Sequence, residues 1–216
     1  MTGEVTHKAP PLRADARENR DRILDAARTL FAERGLDASM REVARAAEVG
    51  PATLYRRFPT KQALIDDVFA DELRACRQIV LDGCADPDPW RGFASVVERL
   101  SVLNVGNQGF VDAFMAANPH SPAFTEHRAD LLHRIRTLAT RAKRTGHLRP
   151  DFVLDDLGLF LLACRGLSAT APANRPLAAR RFAALALDGF RASEANGVLP
   201  RRPPLVAEVL RAPRSG

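Results

Sequence analysis

Residues Ser39–Lys61, SMREVARAAEVGPATLYRRFPTK, have the pattern of two short helices joined by a tight turn. Ser39 and Glu42 have the spacing of a capping box, in which each residue satisfies a backbone N–H at the start of a helix. We expect Gly50 to take a positive φ in the turn. Pro51 should then begin the second helix, where its missing N–H costs nothing. The stretch therefore predicts a helix-turn-helix.

The second helix of this stretch places polar and basic side chains on its outer face. Leu54 and Phe58 lie four residues apart and are expected to face inward, whereas the side chains left outside are Thr53, Tyr55, Arg56 and Arg57. The second helix of a helix-turn-helix enters the major groove of DNA, where Arg can pair with guanine. The alternative is a helical hairpin with a solvated basic face.

The residues that we expect to contact DNA extend beyond this helix. Tyr and Lys side chains suit phosphate oxygens, and basic arms before a first helix can reach the minor groove. The predicted DNA contacts are Arg13, Arg17, Ser39, Arg41, Pro51, Ala52, Thr53, Tyr55, Arg56, Arg57 and Lys61.

Helices are also predicted on both sides of the stretch. Apolar residues recur at helical spacing over Arg17–Arg34, with Gly35 as the C-cap. This helix should complete a three-helix core. After the stretch, one continuous helix from Thr60, which should act as its cap, to about Asp82 is expected to link the two halves of the chain.

The residues from Asn19 to Leu73 resemble the DNA-binding domain of the tetracycline-repressor (TetR) family of transcription regulators. The resemblance rests on ILDAARTLFAERG at Ile23–Gly35 and on SMREVARAAEVGPATLYRRFPTKQAL at Ser39–Leu64, and it covers about a quarter of the chain. It implies an all-α homodimer that binds double-stranded operator DNA. It also implies a small-molecule effector, bound in a C-terminal helical domain.

Composition limits the classes of protein that need to be considered. The chain has 216 residues and a formal net charge of +6, which suits a polyanionic partner without proving one. It has no apolar run of about 18 residues that would span a membrane and no apolar signal segment. Its three cysteines, Cys76, Cys84 and Cys164, are too few and too irregularly spaced for a disulfide framework. These features predict a cytoplasmic protein.

The sequence predicts four segments in an all-α chain. They are a disordered N-terminal tail (1–12), a helix-turn-helix DNA-binding domain (13–62), a regulatory, ligand-binding and dimerisation domain (63–192), and a basic, proline-rich tail (193–216). Within the regulatory domain, helices are expected from Pro89, from Pro122 to a C-cap at Gly146, and over Leu154–Ala171 and Leu177–Ala192.

The regulatory domain has candidates for an effector pocket. The predicted apolar wall consists of Phe93, Val97, Leu100, Phe110, Phe114, Met115, Leu132, Ile135 and Cys164. The polar groups expected near it include Asn104, His133 and Arg165. Such a pocket would take a hydrophobic, aromatic or weakly acidic ligand, with Arg165 as the anchor for an anion. The alternative is that all nine apolar residues are ordinary core.

The last two predicted helices are apolar over more than one face, which is typical of helices buried on two sides. Given the resemblance, we expect them to form a four-helix dimer interface, although a wholly intramolecular core is the alternative. The predicted interface residues are Leu159, Leu162, Ala179, Phe182, Ala183, Ala186, Gly189 and Phe190.

No pattern in the sequence indicates catalysis, a cofactor or a metal site. There is no Gly-rich phosphate loop and no nucleophile elbow, and His120, His127 and His133 lack the spacing of paired ligands on a helix. We therefore expect a homodimeric repressor that a small hydrophobic effector releases from a near-palindromic operator. The alternatives are a carrier or enzyme with a residual DNA-binding head, and a regulator with no ligand.

Overall fold

The computed structural model describes residues 11–115 and 122–201, apart from the side chains of residues 11–16, 108, 112, 115, 122 and 123. These residues are largely helical and include no strand, which confirms the all-α prediction. The chain divides into two compact units, of which the first ends at Val68 and the second begins at Phe69. None of the described helices is both long and apolar enough to cross a membrane.

The first unit contains four α-helices: α1 (Pro11–Arg34), α2 (Met40–Ala46), α3 (Pro51–Arg57) and α4 (Lys61–Val68). A short 3-10 turn, Gly35–Asp37, follows α1, and Gly35 has a φ of +68°. The fully or almost fully buried side chains of this unit include Ile23, Ala27, Phe31, Val43, Ala44, Leu54, Phe58, Leu64 and Val68. The first helix, which the sequence predicted from residue 17, begins earlier, at Pro11. The fixed φ of proline suits the first turn of a helix. Of the predicted tail, residues 1–10 lie outside the described residues.

The capping predictions for this unit are confirmed. The Ser39 backbone N–H donates to Glu42 Oε2 at 2.7 Å, and the Glu42 backbone N–H donates to Ser39 Oγ at 3.3 Å. The Ala63 N–H donates to Thr60 Oγ1 at 3.1 Å, so Thr60 caps α4 as expected. These bonds satisfy backbone donors that a helix start leaves without an intrahelical partner.

The prediction of a positive φ at Gly50 is wrong. Gly50 has φ −65° and ψ 144°, and the positive φ in the turn belongs to Glu48, at 55°. Pro51 explains the difference, because the proline ring drives the residue before it into the extended region. The left-handed residue of the turn therefore lies two positions earlier, and Gly50 acts as the N-cap of α3.

The prediction of one continuous helix from Thr60 to Asp82 is also wrong. α4 ends at Val68, and Phe69 has φ −104° and ψ 13° before α5 begins. The Arg28 guanidinium donates to the Val68 carbonyl at 2.9 Å. Val68 and Phe69 are both fully buried, and Phe69 packs on Phe110, with 6.0 Å between ring centroids. Val68 belongs to the first unit and Phe69 to the second, so the break in the helix coincides with the boundary between the units. The expected domain boundary after residue 62 lies before this break.

The second unit contains α5 (Ala70–Ala85), α6 (Pro89–Gly106), α7 (Gln108–Met115), α8 (Pro122–Arg144), α9 (Leu154–Ala163) and α10 (Arg175–Phe190). The central helix α6 packs mainly against α5, α8 and α10. The backbones of α5 and α6 meet at Gly83 and Gly92, where a Cβ on either residue would clash with the carbonyl of the other. Gly146, with φ +73°, follows α8 as predicted.

The helix predicted over Leu154–Ala171 ends earlier. From Cys164 to Ala169 the chain is a 3-10 helix, and Pro172–Asn174 forms a second short one. Ser168 and Thr170 donate through their hydroxyls to carbonyls three residues before, at 2.7 Å in both cases. Such side-chain bonds compete with the α-helical ladder, and Gly166 adds backbone freedom. The final predicted helix is α10, which begins two residues before Leu177.

Candidate nucleic-acid interface and apolar cavity

The outer face of α3 is uncovered in the first unit. Leu54 and Phe58 are buried beneath it, so the helix is held by its apolar face. The side chains expected to contact DNA are exposed on the other face, with 46% of the Tyr55 surface accessible. The exposed residues of this helix are Pro51, Ala52, Thr53, Tyr55, Arg56 and Arg57.

Further predicted contacts are also accessible. Arg17, Ser39 and Arg41 are exposed, and Lys61 is partly exposed at the start of α4. The Arg13 side chain lies outside the described residues. The structure therefore leaves the remaining predicted DNA contacts accessible on the first unit.

The basic side chains of this unit fall into two groups. Some are engaged within it: Arg20 pairs with Asp67, and Arg34 with Glu42, both at 2.9 Å. In contrast, no hydrogen bond or ion pair to a described residue engages the side chains of Arg17, Arg41, Tyr55, Arg56, Arg57 or Lys61. A polyanion could therefore bind these groups without breaking contacts of the fold.

The capping box also gives the Glu42 carboxylate a fixed charge at the start of α2. The hydrogen bond from the Ser39 backbone lowers the pKa of Glu42 most, and the Ser39 hydroxyl adds to the effect. The charges of Arg34 and Arg45 lower that pKa further. Glu42 thus remains ionised at neutral pH. Its negative charge then interacts favourably with the positive end of the α2 helix dipole.

The second unit encloses an apolar cavity of about 80 Å³ between α5, α6, α7, α8 and α9. Of the described residues that line it, none is charged. The lining residues are Cys76, Leu100, Leu103, Asn104, Phe110, Val111, Phe114, Leu131, Leu132, Ile135, Leu154, Leu157, Gly158, Leu161 and Leu162. The volume is well below the roughly 300 Å³ of a typical ligand pocket.

Only part of the predicted pocket wall lines this cavity. The predicted residues found there are Leu100, Asn104, Phe110, Phe114, Leu132 and Ile135. Phe93, Val97 and Cys164 are fully buried elsewhere, with Phe93 packed edge-on against Phe152. His133 is exposed to solvent, Arg165 does not line the cavity, and the Met115 side chain lies outside the described residues.

Most of the wall that the sequence did not predict comes from α9. Leu154, Leu157, Gly158, Leu161 and Leu162 all line the cavity. The apolar run of this helix was the available signal, but it was assigned to subunit contact. Cys76 also lines the cavity and was not among the predicted wall residues. Burial raises the pKa of its thiol to about 12, so this side chain is neutral.

Asn104 is the polar amide in the wall. Its Nδ2 donates to the Leu161 carbonyl at 2.9 Å, which fixes the orientation of the side chain. Its Oδ1 remains an acceptor beside the cavity. A bound molecule could therefore gain one directed hydrogen bond from an otherwise apolar wall.

The predicted dimer residues divide between the inside and the surface of the second unit. Ala179 and Ala183 are fully buried, and the Ser101 hydroxyl on α6 donates to the Ala179 carbonyl at 3.3 Å. These two small residues therefore pack inside the second unit rather than on its surface.

Other members of that set also contact their own chain. Phe182 stacks on Phe160 with 5.3 Å between ring centroids, and Phe190 packs edge-on against Phe152 at 5.1 Å. Ala186 is half-buried, and Leu162 is half-buried in the cavity wall. Leu159 and Gly189 are exposed.

Large apolar side chains that the sequence did not assign to an interface are also exposed on α10. The accessible fractions are 65% for Leu177 and 61% for Leu185, and Leu159 on α9 is 43% accessible. These exposures locate an uncovered apolar surface on the two helices.

The described histidines are not part of a cluster that could bind a metal ion. The described residues include no group of three or more His, Cys, Asp or Glu side chains that could hold a metal ion. His127 is half-buried and His133 exposed, while His120 lies outside the described residues.

Comparison with known proteins identifies both units. Residues 23–68 match the model of the bacterial regulatory proteins of the tetR family, and residues 88–192 match the model of the SbtR-like transcriptional regulator C-terminal domain. The capped α2, the tight turn and the exposed outer face of α3 are the features of a helix-turn-helix protein. Within this class, the chain belongs to the TetR family of transcriptional regulators.

Individual relatives share mainly the first unit. UidR of Escherichia coli K12 is 37% identical over 62 residues, which are 28% of this chain and 32% of the relative. The repressor KstR2 of Rhodococcus jostii is 42% identical over 69 residues, which are 30% of this chain and 34% of the relative. The match thus spans about a third of the length of these curated relatives.

The likeness to solved structures extends over more of the chain. The ketosteroid regulator KstR2 of Mycobacterium tuberculosis has a TM-score of 0.59 and 19% identity, over 88% of this chain and 100% of that one. At this identity the likeness supports the shared fold.

Proposed function

We propose that the protein is a homodimeric repressor that binds a near-palindromic operator and is released from it by a small, uncharged, hydrophobic effector. The observation that carries the DNA-binding part is the accessible outer face of α3. Its Arg56, Arg57 and Tyr55 side chains are exposed and make no hydrogen bond or ion pair with the described residues, and Lys61 begins the next helix. Membership of the TetR family supports the same function.

In this proposal α3 enters the major groove. Arg56 and Arg57 are the candidates for contacts with base edges, because a guanidinium can pair with guanine through two hydrogen bonds. Tyr55 and Lys61 would contact phosphates, which position the helix without reading sequence. A twofold dimer would place two such helices about 34 Å apart, or at multiples of that distance, on two half-sites.

The exposed apolar surface on α9 and α10 supports the homodimer. Leu159, Leu177 and Leu185 would lose their contact with water if a second copy covered them, and burial of apolar surface stabilises association. The interface proposed here differs from the one expected from sequence, because Ala179 and Ala183 already pack inside the subunit.

The cavity supports an effector without charge. An ion would lose its hydration there and find no described side chain of opposite charge on the wall. Arg165 is therefore not proposed as an anchor for an anion. The ligand that fits is mainly hydrocarbon, with one hydroxyl or N–H group that donates to Asn104 Oδ1.

The small volume has a consequence for the mechanism. A typical effector requires more space than about 80 Å³, so the site must enlarge as the ligand binds. A ligand that binds an enlarged state more tightly shifts the protein towards that state. Operator release then requires the enlarged state to bind DNA less well.

The DNA-binding part can be tested by selection from a random duplex library, followed by fluorescence anisotropy with the enriched duplex. We expect a twofold-symmetric sequence that binds one dimer of the full chain. Tyr55→Phe should weaken binding to all duplexes, whereas Arg56→Ala or Arg57→Ala should relax the preference at particular bases. A selection without any enriched sequence would contradict the regulator and favour a carrier.

The effector part needs a separate screen. Neutral and anionic hydrophobic compounds of matched size, such as phenol-like alcohols and the corresponding carboxylates, can be compared by thermal shift. We expect stabilisation by neutral compounds only, together with release of the selected duplex. Stabilisation by carboxylates alone would contradict the proposed ligand class, and the absence of any shift would leave the regulator without a ligand.

A further inference from the structure

The outer face of α10 is a row of uncovered side chains. Leu177, Arg181, Ala184 and Asp188 recur every three or four residues and are all exposed, and Leu185 lies beside them at 61% exposure. The opposite face is buried against the same chain. The row is thus the part of the helix that is free to contact another molecule.

This row carries two opposite charges with no partner in the described part of the chain. Arg181 and Asp188 each lack an ion pair and a hydrogen bond to a described side chain. They cannot reach each other easily, because seven residues along a helix separate them by about 10 Å. The neighbouring Arg180 differs, since it lies 3.4 Å from Glu98 on α6.

We propose that two copies of the chain pair through this face with their α10 helices antiparallel and a twofold axis between Ala184 and Leu185. The inference rests on the homodimer proposed above and specifies its register. In this register Arg181 of each copy lies opposite Asp188 of the other, so that symmetry creates two ion pairs. Ala184 likewise lies opposite Leu185 twice, and a small residue leaves room for a large one.

The charges discriminate between this register and two registers shifted along the helix. A twofold axis at Arg181 would place two guanidinium groups against each other, and an axis at Asp188 would place two carboxylates together. Like charges at an interface oppose association, so both shifted registers are disfavoured. Of these three registers, only the central one places a cation of each copy opposite an anion of the other.

Charge reversal tests the register in the full-length protein. Sedimentation equilibrium would compare the dimer dissociation constants of the wild type, Arg181→Asp, Asp188→Arg and the double variant. The matched control is Arg180→Asp, which makes the same change of charge one residue away. All these positions are exposed, and circular dichroism would verify that each variant keeps its helices.

We expect each single reversal to weaken dimerisation about tenfold, because two attractive pairs become repulsive. The double variant should return to within about threefold of the wild type, and Arg180→Asp should stay close to it. A dimer that tolerates both single reversals, or that the double reversal does not restore, would overturn the register and leave the homodimer standing. A wild type that remains monomeric at about 100 μM would overturn both.

Discussion

Arg34 at the end of α1 donates to Glu42 Oε1 at 2.9 Å, while Glu42 Oε2 accepts the Ser39 backbone N–H at 2.7 Å. One carboxylate thus joins the first helix to the N-terminal cap of the second. The hydroxyl of Ser39 completes the box by accepting the Glu42 N–H. This arrangement fixes the start of α2, on which the orientation of α3 depends.

Ser39→Ala should destabilise the protein. The substitution leaves the Glu42 N–H without its cap, and loss of such a cap costs about 1 kcal/mol. Urea unfolding followed by circular dichroism would measure the effect. Thr29→Ala is the matched control, because this exposed hydroxyl only donates to a carbonyl within α1. An equal loss of stability in both variants would contradict a special role for the cap.

Lys61→Ala should reduce the salt dependence of DNA binding. Removal of one phosphate contact lowers the slope of log K against log salt by about one unit and weakens binding to all sequences. Titrations of the selected duplex over a range of salt would measure the slope. Arg144→Ala removes an exposed cation from the second unit and should leave the slope unchanged. Equal slopes for Lys61→Ala and the wild type would contradict the proposed docking.

Arg substitutions at two adjacent alanines should have different outcomes. Ala183 is fully buried against the rest of the second unit, so Ala183→Arg buries a charge at a cost of several kcal/mol and should unfold that unit. Ala184 is exposed on the proposed interface, so Ala184→Arg should give a folded monomer. Circular dichroism and light scattering distinguish the two results. A folded dimer in both cases would refute both assignments.

Leu103→Phe should reduce the effect of an effector. Leu103 lines the cavity and is partly exposed, and a larger ring there would occupy space that a ligand needs. The variant should show a smaller ligand-induced shift in Tm than the wild type while its operator affinity stays the same. Val198→Phe, at a position after α10 that is 97% exposed, controls for the added ring. An undiminished shift in Leu103→Phe would indicate that the ligand binds elsewhere.

Acidification should destabilise the protein in part through His127. Burial lowers the pKa of this imidazole below its ordinary value of 6.5, and the charge of Arg77 lowers it further. Its Nε2 is buried without a hydrogen-bond partner among the described residues. The unfolded chain therefore binds the proton more readily, so stability falls as the pH drops below 6.5 and levels off below the pKa of the folded state.

The measurement is the change in Tm between about pH 7.5 and about pH 5.5, which brackets the imidazole range. His127→Gln should lose less stability on acidification than the wild type. His133→Gln removes an exposed imidazole and should behave like the wild type. Identical losses in all three proteins would show that His127 does not titrate differently in the folded and unfolded states.

Local signals in the sequence predicted the first unit well. The capping box at Ser39, the start of α3 at Pro51 and the cap at Thr60 all act within four residues along the chain. Such interactions depend little on the rest of the fold. The error at Gly50 was an error of local competition, because the following proline restricts the backbone more strongly than glycine frees it.

Faces and cavities could not be derived in the same way. Leu157, Leu161 and Leu185 have the same apolar character in the sequence, yet two line the cavity and the third is exposed. Helical spacing gives the relative directions of side chains, but not the direction that faces the core. Which neighbour covers each face depends on how α6, α8, α9 and α10 pack together.

The sequence by itself determined the helix-turn-helix, its capping residues, the family and the all-α class, because these depend on short-range hydrogen bonds and on periodicity. Only the tertiary structure decided that the chain breaks between α4 and α5 at Phe69, that Ala179 and Ala183 are buried within the second unit, and that Arg165 does not line the cavity. These features depend on contacts between residues far apart in the chain. Whether a side chain is buried is a property of its packed neighbours rather than of the residue itself.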